Sequence, residues 1–194
     1  MERGRPREFA RETALDKATE TFWRQGYRAT STADLLAHMG IARQSFYNTF
    51  GGKRALFIEA LGHYGANYLK PIRDQLGAPG PPLDNVRRTL RLWQDFNSEE
   101  PCFGCLMCNS LAEFGVGDSE VSGVLKDLLK QMEDAFCGAL QRAQAAGQLA
   151  ETTDVRALAR TLTNTGQGIA LMGKINVGRE VIGDIVRTSE RLLV

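Results

Sequence analysis

The sequence predicts an all-α protein of about nine helices, with a three-helix N-terminal unit followed by a larger helical domain. Three observations carry that prediction. Apolar residues recur at helical spacing in the long segments, as in Ala14, Leu15, Ala18 and Phe22. Glycine and proline fall between those segments and punctuate them. No stretch keeps up a period-two alternation, so no strand is expected.

Taken in order, the first helix covers about residues 9–25 and stops at Gly26. Ser31 followed by Asp34 is an approximate capping box that opens a short helix through Met39, and Gly40 breaks it. A second short helix runs from about Arg43 to Phe50 and ends at Gly51-Gly52. A fourth helix starts near Lys53, with Phe57, Leu61, Tyr64 and Tyr68 on one face, and Pro71 is expected to kink or end it. The run from Gly77 to Pro82 is the clearest loop. Further helices are expected over about 83–98, 103–114, 119–146, 153–174 and 179–193.

Composition sets bounds. Hydrophobic residues make up 43% of the 194 residues and charged residues 24%, as in ordinary soluble domains. No apolar run approaches the roughly 20 residues that span a bilayer, and the polar, basic stretch Met1–Phe9 does not read as a signal peptide. The expectation is a cytoplasmic protein with no membrane association and with its cysteines as thiols. Net charge is only +1, but residues 1–60 hold ten basic side chains against seven acidic ones. That excess permits a nucleic-acid-binding N-terminal part without demanding one.

Two short helices split at Gly40 have the form of a helix-turn-helix. Leu35, Leu36 and Met39 give the first an apolar face, and Ile41 plugs the junction. Phe46, Tyr47 and Phe50 hold the second helix inward, which leaves Arg43, Gln44, Ser45 and Asn48 outward for base edges and phosphates. Alone, such a pattern is weak. The fuller string is specific: Phe22, Gly26-Tyr27, Thr30-Ser31, Leu35-Leu36, Met39-Gly40-Ile41, Phe46-Tyr47, Phe50, Lys53 and Leu56-Phe57. Over about residues 9–60 it resembles the DNA-binding domain of TetR-family regulators. One departure is Ala42, where the family usually has Ser or another small capping residue.

The resemblance implies a DNA-binding transcriptional regulator, a repressor released from double-stranded operator DNA by a small-molecule effector. It divides the chain into a DNA-binding part, residues 1–52, and an effector-binding and dimerisation part, residues 53–194. It implies that Ser31 and Thr32 open the second helix beside phosphates, and that Arg43, Gln44, Ser45, Tyr47 and Asn48 face the major groove or its walls. Lys53 meets a phosphate. Ahead of the first helix, Arg3 and Arg5 flank Gly4 and precede Pro6. Such an arm either lies in the minor groove or is a basic tail that adds non-specific affinity.

In the C-terminal part, the eighth predicted helix, about 153–174, carries Gly166, Gly168, Ala170 and Gly173, small residues that admit a close neighbour. The ninth, about 179–193, carries Val181, Ile182, Ile185, Val186, Leu192 and Leu193. Together they are expected to form a two-fold homodimer interface; the other reading is an intrachain core face. Candidate effector-binding residues are large and semi-polar: Tyr64, Tyr68, Trp93, Phe96, Phe103, Met107, Phe114, Met132, Phe136 and Gln167, with Asn109 and Met172 beside them.

Cys102, Cys105 and Cys108 form C-x-x-C-x-x-C at the entry to a predicted helix, with Cys137 further on. Three readings stand: a metal set, which needs ligands from elsewhere; a redox or electrophile sensor using Cys102 and Cys105 near a helix N-terminus; and small buried hydrophobes. No metal and no cofactor is expected. His38 and His63 are the only histidines, and neither a nucleophile–base motif nor a phosphate-binding loop is present, so the chain does not read as an enzyme.

Overall fold

The computed structural model describes residues 5–115 and 117–193, with side chains from residue 11 onward. Among the described residues it is all-helical, with no strand. The N-terminal unit comprises α1 (Arg5–Gln25), α2 (Thr32–Met39) and α3 (Arg43–Phe50). The rest comprises α4 (Lys53–Tyr64), a π-helical turn (Gly65–Leu69), α5 (Lys70–Gly77), α6 (Pro82–Asn97), α7 (Leu106–Phe114), α8 (Ser119–Ala145), α9 (Val155–Gly173) and α10 (Arg179–Glu190).

The local chemistry accounts for the boundaries. Ser31 Oγ accepts from the Asp34 backbone N–H at 3.1 Å while the Ser31 N–H donates to the Asp34 carboxylate at 2.8 Å, a complete capping box at the start of α2. Gly40 closes α2 at φ 70°, in the left-handed region that glycine enters without cost. Ala42 supplies no side-chain cap to α3. Asp118 and Asp154 cap α8 and α9, each accepting two backbone N–H bonds.

Three boundaries differ from the sequence expectation. α1 is already helical at Arg5, so that residue's backbone belongs to the helix and not to an extended arm. Pro6 permits this because the first-turn N–H groups have no intrahelical acceptor to lose. Arg3 and the Arg5 side chain lie outside the described residues. The seventh helix begins at Leu106, with Cys105 as its N-cap residue, because the preceding Gly104 takes φ 66° and breaks the backbone there. The fourth expected helix does not end at Pro71. It widens into the π-turn just before, where the Lys70 N–H reaches the Gly65 carbonyl, and Pro71 then sits in the first turn of α5.

Phe22, Leu35, Met39, Phe46, Phe50, Leu56 and Phe57 are buried and make the core of the N-terminal unit. α4 runs along α1 and on to α8, so it is shared by both halves. α8 packs against α5, α6 and α9, and α10 lies on α6 and α9. At Gly65 the π-turn comes so close to α8 that an added Cβ would sit 2.5 Å from Leu128 Cδ2.

Candidate nucleic-acid interface and internal cavity

On α3 the buried and exposed residues separate cleanly. Phe46 and Phe50 are buried, whereas Arg43, Gln44, Ser45, Tyr47 and Asn48 are exposed. The ridge is preorganised: Gln44 Nε2 donates to Asn48 Oδ1 at 3.2 Å, and Tyr47 packs edge-on against Phe46 with centroids 5.2 Å apart. Ser31 is exposed, its hydroxyl engaged by Asp34 at 2.6 Å, and Thr32 begins α2 half-buried. Lys53 starts α4 with its ammonium 4.3 Å from the centre of the Tyr27 ring. That cation–π contact fixes where the charge points while leaving it partly solvated.

Behind this unit lies a cavity of about 600 Å³. Of the aromatic and semi-polar residues singled out in the sequence, Tyr64, Tyr68, Trp93, Phe96, Phe103, Met107, Met132 and Gln167 line it. Phe96 is 63% exposed, so the cavity opens beside α6. The π-turn brings Tyr64 and Tyr68 onto one wall, stacked at 5.2 Å, and Trp23 meets both edge-on at 5.1 and 5.0 Å. Trp23, Asn67, Gln75, Thr163 and the three neighbouring cysteines also line it, none of which was among the effector candidates. The signal for Trp23 was hidden because it sits inside the helix-turn-helix string, and its role depends on where α1 lies against α4.

Other candidates are placed elsewhere. Phe114 stacks on Phe57 at 5.2 Å and touches Tyr27 at 4.9 Å, so it belongs to the junction between the halves. Phe136 is fully buried behind Trp93, 5.5 Å away. Asn109 donates to the Phe103 carbonyl at 3.0 Å and accepts from Lys174 at 3.1 Å. Met172, partly buried on α9, is not among the cavity-lining residues.

The small-residue face of α9 is corrected most. A Cβ on Gly166 would lie 2.4 Å from the Trp93 ring, and one on Gly173 2.8 Å from Cys102 Sγ and 2.9 Å from Asn97. These glycines admit a close neighbour, as expected, but the neighbour is this chain's own α6 and the loop after it. On α10, Ile182 and Val186 are buried within the chain, as is Leu193 beyond it. The large hydrophobic residues that α9, α10 and their flanks leave exposed are Leu171, Ile175, Val181 and Leu192.

The thiols form a graded set. Cys108 donates a hydrogen bond to Cys105, which pushes the Cys105 pKa down to about 7 against the opposing effect of burial. The Tyr64 hydroxyl adds a second bond at 3.4 Å. Cys108 moves in the opposite direction because its proton is held by Cys105 and it is itself buried. Burial and the neighbouring Cys105 charge raise Tyr64. Cys102 is turned to Asn97 Oδ1 at 3.6 Å, so the neighbour of Cys105 is Cys108. Cys137 is buried. Among the described residues no three His, Cys, Asp or Glu side chains converge as a metal set.

Polar links join the two halves. The Glu113 carboxylate, near the end of α7, accepts the Tyr27 and Arg28 backbone N–H groups at 2.9 and 2.5 Å, holding the turn between α1 and α2. Trp23 Nε1 donates to the Gly104 carbonyl at 3.0 Å. Gly104 is itself wedged, since a Cβ there would lie 2.7 Å from the Ala170 carbonyl oxygen. Arg54, at the start of α4, bonds Asp118 at 2.9 and 2.8 Å and Glu120 at 2.6 Å.

This pairing of a polar-faced short helix with a cavity-bearing bundle has clear counterparts. Residues 14–60 match the family of bacterial regulatory proteins, tetR family, and residues 82–188 match a tetracyclin repressor-like C-terminal domain. The chain is 35% identical over 192 residues to YezE, an uncharacterized HTH-type transcriptional regulator of Bacillus subtilis (strain 168), covering 98% of this chain and 99% of that protein. It is 29% identical over 192 residues to the HTH-type transcriptional repressor ComR of Escherichia coli (strain K12), covering 98% and 91% respectively. Among solved structures, a cysteine mutant of the TetR family transcriptional regulator CifR, complexed with 26-bp double-strand operator DNA, superposes with TM-score 0.82 at 34% identity, covering 93% of this chain and 95% of that one. From the helix-turn-helix through to the C-terminal bundle, the chain belongs to the TetR family of bacterial transcriptional regulators.

Proposed function

We propose that this DNA-binding regulator is a cytoplasmic, homodimeric repressor that grips operator DNA with α3 and lets go when a small molecule enters the cavity. The carrying observation is that reader and cavity share elements: Trp23 of α1 and Tyr64 of α4 line the cavity, while the same two helices pack against each other behind α2 and α3. A ligand that favours one setting of α4 over another therefore biases the spacing of the recognition helices. In this reading residues 1–52 form the DNA-binding part, with Arg43, Gln44 and Asn48 toward the bases and Ser31 and Thr32 toward phosphates, and Lys53, just past its boundary, adds one more phosphate contact. Residues 53–194 bind effector and partner subunit, and no residue has a catalytic role.

The dimer is proposed to form through α9, α10 and the turn between them, with the exposed Leu171, Ile175 and Val181 in the contact and not Gly166 or Gly173. Two copies so joined present their α3 helices to half-sites about 34–36 Å apart, one DNA turn, or a multiple of it. Leu171→Glu with Ile175→Glu should split the dimer and abolish operator binding, read by light scattering and fluorescence anisotropy. A double variant that stays dimeric and keeps its affinity rules out this interface.

A second reading rests on the Cys105 thiol in the cavity wall, with its pKa at about 7. It makes the same fold a thiol-based redox or electrophile sensor, with Cys108 in place of Cys102 as the neighbouring thiol. Peroxide that weakens DNA binding in the parent and not in Cys105→Ser supports it; equal sensitivity in both removes it.

A further inference from the structure

The chemistry of the cavity wall narrows what can bind there. None of the lining residues is Asp, Glu, Lys, Arg or His. Charged side chains gather instead in a neighbouring cleft that shares Trp23, Tyr68 and Phe103 with the cavity, where Glu20 is paired with Arg24 at 2.7 Å and Asp16 with His63. A charged ligand group inside the cavity would lose its hydration and find no Asp, Glu, Lys, Arg or His side chain to pair with. The negative charge that Cys105 can carry is already engaged by hydrogen bonds from Cys108 and Tyr64, and it would further repel an anion.

One buried polar atom points to what the ligand brings. Thr161 and Thr165 on α9 bond their hydroxyls to the carbonyls four residues back, at 3.1 and 3.0 Å. Thr163, between them and only 7% exposed, does not, and its Oγ1 is buried without a hydrogen-bond partner in the structure. Thr163 lines the cavity, and so does Gln167, one helical turn further along the same face. Between them Gly166 lets the Trp93 ring lie against the α9 backbone, an apolar wall beside the two polar groups. A hydroxyl left unbonded in an interior is costly. A neighbouring site built to accept or donate one hydrogen bond accounts for it.

We propose that the cavity takes an uncharged, largely apolar ligand bearing one hydroxyl or carbonyl group, which pairs with Thr163 Oγ1 and Gln167 while its apolar body lies against Trp93, Tyr64 and Tyr68. This rests on the cavity being the effector site.

Both tryptophans of the chain, Trp23 and Trp93, line the cavity, so intrinsic fluorescence reports on occupancy. The test titrates the full-length protein with three probes on one frame: 4-phenylcyclohexanol, 4-phenylcyclohexanecarboxylate and 4-phenylcyclohexylammonium. Calorimetry checks each affinity. The alcohol is expected to saturate the signal with a Kd about a hundredfold below those of the two ions, since an unpaired buried charge is excluded. Thr163→Val should weaken the alcohol about five- to tenfold, the worth of one neutral hydrogen bond, whereas Thr163→Ser should restore it. Three results overturn the proposal: an ion binding as tightly as the alcohol, a folded Thr163→Val binding like the parent, or no response to any probe. Repeating the alcohol titration on the DNA complex separates the two claims. Selective binding that leaves the operator occupied upholds the ligand class and contradicts the release step.

Discussion

The two ends of the molecule use similar residues under different rules. In the helix-turn-helix, a side chain's role follows from its place on an eight-residue helix: Phe46 and Phe50 face in, Gln44 and Asn48 face out, and the turns between are closed by Gly40 and Gly51. In the C-terminal bundle, an aromatic at the same helical spacing can be core, cavity wall or junction, as Phe136, Trp93 and Phe114 are. The small surface helix turns a single face inward, Phe46 and Phe50, so its periodicity is enough to sort it. A bundle helix has several neighbours, and periodicity names a face without naming what lies against it.

The largest expected effect sharpens that contrast. Gly104→Ala forces a side chain onto a left-handed backbone and against the Ala170 carbonyl, so it should destabilise the protein by about 2–4 kcal/mol in urea unfolding. Gly40→Ala at the turn between α2 and α3 meets no atom within 4 Å, and only the backbone penalty of about 1–2 kcal/mol applies. Equal losses at the two sites would break the distinction between a bundle residue defined by its neighbour and a turn residue defined by its own backbone.

On the reader, Gln44→Ala should cost about 1–3 kcal/mol of operator binding and relax preference at one base position. Lys53→Ala should weaken all sequences alike and flatten the salt dependence, because a phosphate contact carries no sequence information. A base-specific loss at Lys53 would reverse those roles. At the junction, Glu113→Ala leaves the Tyr27 and Arg28 N–H groups without their acceptor and should cost about 1–3 kcal/mol. Its signature is lost DNA affinity with probe binding in the cavity unchanged.

How far each half was legible before the structure follows from the same physics. The capping box of Ser31 and Asp34, the stop at Gly40 and the outward set on α3 are interactions within a few residues, and they stand in the string. The absence of a side-chain cap at Ala42 could also be read there. The π-turn could not, since it depends on how Gly65 meets Leu128 across the bundle. Gly166 and Gly173 correctly announced a close approach, but only the fold reveals the Trp93 ring and Asn97 as what approaches. Thr163 was passed over because nothing in a sequence distinguishes it from Thr161 and Thr165, whose hydroxyls bond back along the helix.

Two smaller effects come from titration. Alkylation of Cys105 by iodoacetamide should rise with pH through about 7, since the thiolate is the nucleophile, while buried Cys137 stays unmodified. A midpoint near the ordinary thiol value of 9.0 would show that the Cys108 bond does not form. Smallest is the Arg54 pair. The Arg54 guanidinium holds Asp118 at about 2, below the ordinary 3.8, so its stabilisation is complete above 3.8 and lost as pH falls through about 2. The stability gap between parent and Arg54→Ala should close over that window, and a gap that persists below it assigns the effect to packing.

Selection from a random duplex library tests whether α3 reads a two-fold DNA site. The parent protein should enrich an inverted repeat whose half-site centres are about 10 base pairs or a multiple apart. The Arg43→Ala, Gln44→Ala double variant should fail to enrich that repeat while remaining folded. Failure of the parent to enrich any duplex, or enrichment of the same repeat by the double variant, would contradict that role of α3.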